Sequence, residues 1–261
     1  MKNKFHSLFL ISACLTISAS ISSCQKDSKP SSDTSTSTTT TTNGSFVEEF
    51  NNVSDLTSKG WAFVNNSNPI GQSGWRQGRY EAQAGPNYKF PDPFIGFPAY
   101  SAETSPNDFV SCDVSAVNYS GNISAWLISP KLSMSNGDTI SFYTRAVDDT
   151  NYPVYVKDRM QVRGNFTDGT ANVGTSSTSV GSFTVVLLDI NPTYVRNDPS
   201  GYPRGWTKKT IIVSGIPGTG SITNGRFAFR YMGTNCGVDG GSANANYAGV
   251  VGVDQLKFVH K

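Results

Sequence analysis

Two acidic residues occupy strand-like stretches at positions where apolar side chains are expected. Glu48 lies between two phenylalanines in FVEEF, and Asp254 lies among apolar residues in GVVGVDQLKF. Side chains alternate between the two faces of a strand, so both carboxylates fall on the face that should be buried. A buried carboxylate needs a partner, and a calcium ion shared by the first and last strands would satisfy both. The alternatives are a Lys or Arg partner, or bulges that turn both acids to solvent.

The chain lacks the residue sets of the common hydrolases. Apart from His6, the only histidine is His260, next to the last residue, so a Ser-His-Asp or Cys-His arrangement would have to use it. A zinc site of the His/Cys type lacks ligands. Asp148 and Asp149 are adjacent acids, but neighbours in a strand point to opposite faces, whereas retaining glycosidases need two carboxyl groups about 5–5.5 Å apart. We predict no catalytic residues and no enzymatic activity.

The N-terminal segment has the pattern of a secretory signal. Lys2 and Lys4 precede an apolar stretch at 5–19, which is shorter than the about 20 residues of a spanning helix. Residues 21–24, ISSC, resemble the lipobox of bacterial lipoproteins. We predict cleavage after residue 23 and lipidation of Cys24, whose acyl chains would hold the protein in a membrane. The expected location is the outer membrane, at the cell surface or on its periplasmic side; the alternative is an ordinary signal peptide.

The charge balance argues against a polyanionic partner. Removing Lys2 and Lys4 from the 21 basic residues leaves 19, equal to the 19 acidic residues. Nucleic acids and anionic membrane surfaces require clustered positive charge. We therefore predict no nucleic-acid partner, and contact with the membrane only through the lipid.

Two further cysteines, Cys112 and Cys236, follow the N-terminal segment. Outside the cytoplasm such a pair can form a disulfide, which for a loop of this length would stabilise the fold by about 4–5 kcal/mol in the entropic model. The alternative is two separate buried thiols.

Two loops rich in aromatic residues are the candidate ligand-binding surfaces. They span 87–100, NYKFPDPFIGFPAY, and 191–206, NPTYVRNDPSGYPRGW. Rigid aromatic side chains offer contact area at low entropy cost. The alternative is that both loops fold their aromatic side chains back onto the domain. The candidate residues are Tyr88, Phe90, Phe94, Phe97, Tyr100, Tyr194 and Tyr202.

The elements that must position these residues are β-strands. Residues 24–44 are predicted to comprise the lipidated cysteine and a Ser/Thr-rich flexible linker. Over 45–261, short runs rich in Val, Ile, Phe and Tyr alternate with Gly, Asn, Ser and Pro, and no long amphipathic helical pattern occurs. This texture is typical of an all-β sandwich. Strands are predicted at 45–50, 139–147, 155–163, 182–190, 207–215, 226–233 and 249–259.

Alternation within these strands predicts which side chains form the core. In TISFYT, Ile140 and Phe142 share one face, and Phe227, Phe229 and Tyr231 share a face of RFAFRY. In WLISP, Trp126 and Ile128 are predicted to point inward on a short strand that ends at Pro130, which cannot donate to the ladder.

Three segments carry a family resemblance: FVEEFNN with Gly60–Trp61, AWLISPKLSMSNGDTISFYTR over 125–145, and the set GWTKKTIIVSG, GRFAFRYMG and VVGVDQLKF. With these segments the chain resembles the choice-of-anchor J group and the cleaved adhesin domains of Bacteroidetes surface lipoproteins. The resemblance implies a concanavalin-like jelly roll of two antiparallel sheets. It also implies a structural calcium held by Glu48 or Glu49 together with Asp254, and the alternation of side chains favours Glu48.

The expected function is therefore that of a non-catalytic binding or adhesion module, displayed by its lipid anchor, whose ligand is a glycan or a protein. The sheets would serve as the scaffold and the loops as the site. Two alternatives stay open: an enzyme or accessory acting on polysaccharide, and a structural component of the cell envelope.

Overall fold

Thirteen β-strands and two short 3-10 turns, at Val53–Asp55 and Val114–Ala116, form the described part of the chain. The structure is a computed structural model that describes residues 44–80, 97–148, 157–196, 200–237 and 249–261. Within these ranges no helix is long and apolar enough to span a membrane. The strands are β1 (Phe46–Glu48), β2 (Ala62–Asn65), β3 (Asn68–Ile70), β4 (Arg76–Gln77), β5 (Val110–Asp113), β6 (Val117–Ile128), β7 (Leu132–Ser135), β8 (Thr139–Ala146), β9 (Met160–Asn165), β10 (Val185–Ile190), β11 (Thr207–Ile212), β12 (Ser221–Gly237) and β13 (Val250–Val259).

These strands form two sheets in which every described pairing is antiparallel. The first sheet has the order β11-β8-β13-β5-β4, with β1 also paired to β13. The second has the order β10-β9-β12-β6-β2, with β3 paired to β6 and β7 to β12. The predicted two-layer, all-β fold is confirmed.

The core lies between the two sheets and follows the predicted alternation. Ile140 and Phe142 enter it from the first sheet, and Phe227, Phe229 and Tyr231 enter it from the second. The rings of Phe142 and Phe229 meet edge to face across the layers, with centroids 4.9 Å apart. Full burial of each such side chain contributes roughly 1.5–3 kcal/mol to the free energy of folding. The packing of Phe142 against Phe229 is therefore one of the contacts that hold the two sheets together.

The outer face of the second sheet is also buried, and this overturns one prediction. Ala125 and Leu127 of β6 belong to the core, so Trp126 and Ile128 point the other way. The segment 166–184 covers them, and the ring centroid of Phe183 lies 5.8 Å from that of Trp126. Alternation could not identify the inward face here, because both faces of β6 carry apolar side chains.

A β-bulge in β13 overturns a second prediction. The register between β13 and β8 shifts between Asp254 and Lys257, and Gln255 has a φ of 44°. Val253 and Leu256 both face the core, so the strict alternation is broken between them. Asp254 is opposite Tyr143 and lies on the outer face of the first sheet, not on the core face.

The two cysteines are separate buried thiols, the second of the two alternatives, and they do not form a disulfide. Cys112 lies on β5 in the first sheet, opposite Val251, whereas Cys236 lies on β12 in the second sheet, opposite Gly121. Burial raises the pKa of the Cys112 thiol well above its usual value and that of Cys236 to about 12. Both sulfurs are therefore protonated and unreactive at neutral pH.

Candidate functional site

The segment 97–109 lies on the outer face of the first sheet, where the buried Asp254 fixes it to the sheet and the buried Asp108 orders its internal turn. Asp254 of β13 accepts hydrogen bonds from the backbone N–H groups of Tyr100 (2.9 Å) and Ser101 (3.1 Å). Asp108 accepts others from Thr104 and Ser105, both at 2.8 Å. The bulge that turns Asp254 outward is thus what allows this strand to hold the segment.

Gly252 allows the segment to approach the sheet closely. A Cβ atom at this position would lie 2.7 Å from the ring of Phe97 and 2.9 Å from that of Trp206. Any larger residue would lift both rings from the sheet, so glycine is required here for packing.

Five aromatic side chains meet on this face: Phe97, Tyr100, Phe109, Tyr143 and Trp206, which we call the aromatic patch. Tyr100 and Tyr143 are stacked, with centroids 3.7 Å apart and planes inclined by 15°. The ring of Trp206 lies edge to face against that of Phe97 at 5.3 Å and 6.4 Å from that of Tyr100. The indole N–H of Trp206 donates to the carbonyl of Pro98 at 2.9 Å. Such contacts fix the rings in place.

The patch is layered, with buried rings beneath and exposed rings above. Phe97 and Phe109 are buried, whereas 43% of Tyr100 is exposed. The guanidinium carbon of Arg145 lies 4.4 Å from the ring centroid of Phe97, and the exposed Lys208 is opposite Tyr143 on β11. The arrangement offers a rigid, ring-sized apolar surface bordered by hydrogen-bond donors.

Sequence reasoning identified part of this patch. Phe97 and Tyr100 were predicted to contact a ligand; the structure places Phe97 in the supporting layer and Tyr100 at the surface. Tyr143 and Trp206 were missed as site residues. The alternation in TISFYT places the Tyr143 side chain on the face opposite the core. The sequence does not show that this side chain contacts a segment some 40 residues away in the chain.

The remaining aromatic candidates lie elsewhere. Tyr202 is buried, and its hydroxyl bonds to that of Thr144 at 2.7 Å, so this ring packs in the core and is not a ligand contact. Tyr194 lies near the edge of the second sheet, where the guanidinium carbon of Arg159 is 5.4 Å from its ring centroid. Tyr88, Phe90 and Phe94 lie outside the described residues.

The acids of β1 are arranged differently from the prediction. Glu48 does face the core side, opposite Leu256, but Lys59 Nζ lies 3.0 Å from its Oε2 and the Phe50 N–H bonds to its Oε1. The partner of Glu48 is therefore a lysine, one of the alternatives considered. Glu49 is the acid whose charge affects Asp254.

Glu49 and Asp254 are partly or fully buried carboxyl groups with raised pKa values. Burial, followed by the charges of Glu103 and Glu48, raises the pKa of Glu49, and its Oε2 is buried without a hydrogen bond within the described residues. Burial also raises the pKa of Asp254 to about 6. However, in the described ranges no three His, Cys, Asp or Glu side chains converge as a metal site, so a calcium ion would need backbone oxygens as well.

The residues considered for catalysis have identifiable partners. Arg204 lies 3.7 Å from Asp148, while Asp149 is outside the described residues. His260 Nδ1 is 2.9 Å from Oδ2 of the buried Asp138, and the Lys261 N–H bonds to Oδ1 of the same aspartate at 3.1 Å. The end of the chain is thus held against the domain.

Comparison with known proteins gives fold-level neighbours only. No protein-family model and no curated protein matches the chain. Among solved structures it is similar to the K1 cleaved adhesin domain of Lys-gingipain from Porphyromonas gingivalis W83, with 17% identity and a TM-score of 0.47 over 83% of this chain and 98% of that one. The K3 domain of the same protein has 16% identity and a TM-score of 0.45, over 82% and 98%. TmCBM61 in complex with β-1,4-galactotriose has 10% identity and a TM-score of 0.30, over 83% and 88%.

Proposed function

We propose that the protein is a non-catalytic binding module whose aromatic patch binds a glycan. The observation that carries the proposal is the stacked pair of Tyr100 and Tyr143 beside Trp206, held in place by Asp254 and open to solvent on one side. A pyranose ring has an apolar face of about the same size as a tyrosine ring. Placing it on Tyr100 would bury apolar area at little entropic cost, because the protein rings are already fixed.

The patch also supplies polar groups for orientation. Binding sites combine apolar walls with a few placed donors and acceptors. Arg145, which lies over the Phe97 ring, and the exposed Lys208, opposite Tyr143, border the patch and can donate hydrogen bonds to sugar hydroxyl groups.

Calorimetric titration of the full-length protein with a panel of neutral oligosaccharides tests this function. We expect Tyr100→Ala to weaken binding by about tenfold or more, since truncating an anchoring aromatic side chain costs ≥ ~1–2 kcal/mol. Tyr119→Ala is the matched control, because Tyr119 is a 69% exposed tyrosine on the other sheet. Equal losses in the two variants, or no binding of any neutral oligosaccharide, would exclude the patch as a glycan site.

Two further proposals complete this function. Cys24 carries lipid and attaches the module to the outer membrane through the linker at 24–44, as the lipobox-like ISSC indicates. Calcium is bound by Glu49 and Asp254 with nearby backbone oxygens, which the unpartnered buried oxygen of Glu49 supports. When bound, the cation would neutralise two like charges between β1 and β13.

A further inference from the structure

A row of charged side chains crosses the outer face of the second sheet, away from the aromatic patch. The row begins at Arg159, the residue just before β9, and continues with Gln161 and Arg163 on β9. These alternate positions point to the same face of the sheet. Gln161 is opposite Asp189 of β10 on one side and Arg230 of β12 on the other. Opposite residues in antiparallel strands point to the same face, so three guanidinium groups and one carboxylate share this surface, which we call the arginine row.

The single carboxylate of the row is already engaged. Arg159 donates to both oxygens of Asp189, from Nε at 2.9 Å and from Nη2 at 2.6 Å. Gln161 Nε2 donates to Oδ2 of the same carboxylate at 2.7 Å. In a bidentate pair of this kind, two N–H groups of one guanidinium donate to the two oxygens of one carboxylate, which makes the ion pair strong and well oriented. Asp189 therefore pairs directly with Arg159, and its charge acts on Arg163 and Arg230 without bonding to them, so one carboxylate serves three guanidinium groups.

Those two arginines are buried and bond only to neutral acceptors among the described residues. Arg163, 9% exposed, donates to the carbonyls of Phe183 and Thr184 and to Gln161 Oε1. Arg230, 4% exposed, donates to the Ser177 carbonyl and to Ser124 Oγ. Buried charges are normally paired with an opposite charge. Burial, together with the charges of Arg163 and Arg159, lowers the pKa of Arg230 to about 10.

The hydroxyl group of Tyr194 lies near the arginine row. The Tyr194 hydroxyl oxygen is buried and interacts with the Arg159 guanidinium, but no hydrogen bond of ordinary geometry reaches it from the described residues. The Tyr194 ring lies against Arg159. The side chains of Arg159 and Asp189 are 18% and 22% exposed, so solvent reaches the row at the β10 edge, beside this hydroxyl.

From this geometry we propose that the arginine row binds an oxyanion, a sulfate or carboxylate group of a ligand. The anion would sit beside Arg159 and Tyr194, accept hydrogen bonds from both, and add negative charge to a face where one carboxylate serves three guanidinium groups. Asp189 would compete with it for Arg159. The site is separate from the aromatic patch, and it does not depend on the patch binding a neutral glycan.

Calorimetric titration of the full-length protein with sodium sulfate and with sodium acetate, in a buffer of low ionic strength, tests this proposal. We expect saturable binding, because charge-assisted hydrogen bonds to a fixed guanidinium are strong at low salt. Binding of both anions indicates a general oxyanion site, and binding of sulfate alone indicates a tetrahedral one. No saturable binding of either anion would overturn the proposal.

Four variants locate the site. Arg159→Gln should weaken anion binding about tenfold or more, as loss of a bond to a charged group implies, and Asp189→Asn should strengthen it by removing the competing carboxylate. Lys257→Gln, at an exposed position on β13, is the matched control for loss of one positive charge and should bind as the parent does. Equal binding by Arg159→Gln and Lys257→Gln would overturn the proposal. Arg159→Lys, which keeps the charge, separates loss of binding from misfolding, and neutral oligosaccharide binding should be unchanged in all four.

Discussion

At the residue scale, Asp158 shows how one buried carboxylate connects distant parts of the chain. Its Oδ1 accepts hydrogen bonds from the Tyr231 hydroxyl at 2.6 Å and from the Gly249 N–H at 2.9 Å. Its Oδ2 is buried without a described partner. Burial raises the pKa of this carboxyl to about 6, and the nearby charge of Asp113 adds to the effect. The residue therefore positions the start of β13 while its negative charge destabilises the fold at neutral pH.

The raised pKa of Asp158 gives a prediction about stability and pH. The folded state binds the proton more tightly than the unfolded state does, so the contribution of this group to stability is largest below about pH 4, falls as the pH rises to about 6 and is constant above that. The loss amounts to roughly 3 kcal/mol at most. We expect Asp158→Asn to keep the bonds to Oδ1 and to be more stable than the parent by about 1–2 kcal/mol at pH 7, after about 1 kcal/mol for an unpaired amide group.

Urea denaturation at several pH values between 4 and 7 measures this effect. Asp254 titrates in the same range, so the variant should flatten only part of the pH dependence of the free energy of unfolding. If the curves of the parent and of Asp158→Asn run parallel across this range, the carboxyl of Asp158 does not have the raised pKa.

At the scale of elements, the pairing of β1 with β13 decides which acids can cooperate. Register places Glu48 opposite Leu256 on the core side, and the bulge at Gln255 places Asp254 on the other side. Glu49, the neighbour of Glu48, therefore shares the outer side with Asp254. A cation bound by these two would connect the first strand, the last strand and the segment 97–109 that Asp254 holds.

This arrangement predicts a specific effect of calcium removal. We expect a chelator to lower the melting temperature of the full-length protein, because binding only to the folded state stabilises it by mass action. Glu49→Gln should abolish the chelator effect. Glu48→Gln is the matched control: it breaks the contact with Lys59 but should leave the chelator effect in place. A chelator effect lost in Glu48→Gln and retained in Glu49→Gln would show that the assignment from sequence, not that from the structure, is right.

Sequence patterns predicted where the strands lie in the chain better than which face of each strand is buried in the core. Each of the seven predicted strands overlaps an observed strand, although the bounds differ: the strand predicted at 155–163 is Met160–Asn165, and 155–156 lie outside the described residues. Phe142 and Phe229 face the core because each strand there has one apolar and one polar side. The predicted orientation of the Trp126 side chain was wrong because the segment 166–184 buries the outer surface of the second sheet as well. The face of Asp254 was wrong because Gln255 takes a φ of 44° with neither Gly nor Asn to signal a bulge. The arginine row depends on three strands far apart in sequence, and no local pattern contains it.

At the scale of the whole molecule, the proposed function combines display with recognition. A lipid anchor at Cys24 and a Ser/Thr-rich linker would carry the sandwich, and its two outer faces present different chemistry. One face offers stacked rings, and the other offers guanidinium groups at a sheet edge. A ligand with both sugar rings and acidic groups has a counterpart on each, although the two sites bind independently.

The anchor gives a prediction for the complete protein. We expect Cys24→Ser to prevent lipidation and to shift the protein from the membrane fraction to the soluble fraction, because acyl chains supply about 0.8 kcal/mol per buried CH₂ and little else holds the protein to the membrane. Cys14→Ser, within the apolar stretch, is the matched control and should remain anchored. Mass spectrometry of the mature N-terminus measures the modification directly, and an unmodified Cys24 in the parent would exclude the anchor.

The hydrogen bond from the His260 N–H to Ser45 Oγ, at 3.0 Å, has a practical consequence. Because β1 runs antiparallel to the end of β13, the points where the chain enters and leaves the sandwich are neighbours. A short bridge could join them, so a circularly permuted version with new ends in a surface turn should retain the same sheets. By the same geometry, a tag fused after Lys261 would emerge beside Gly44 and Ser45, at the other end of the described sandwich chain.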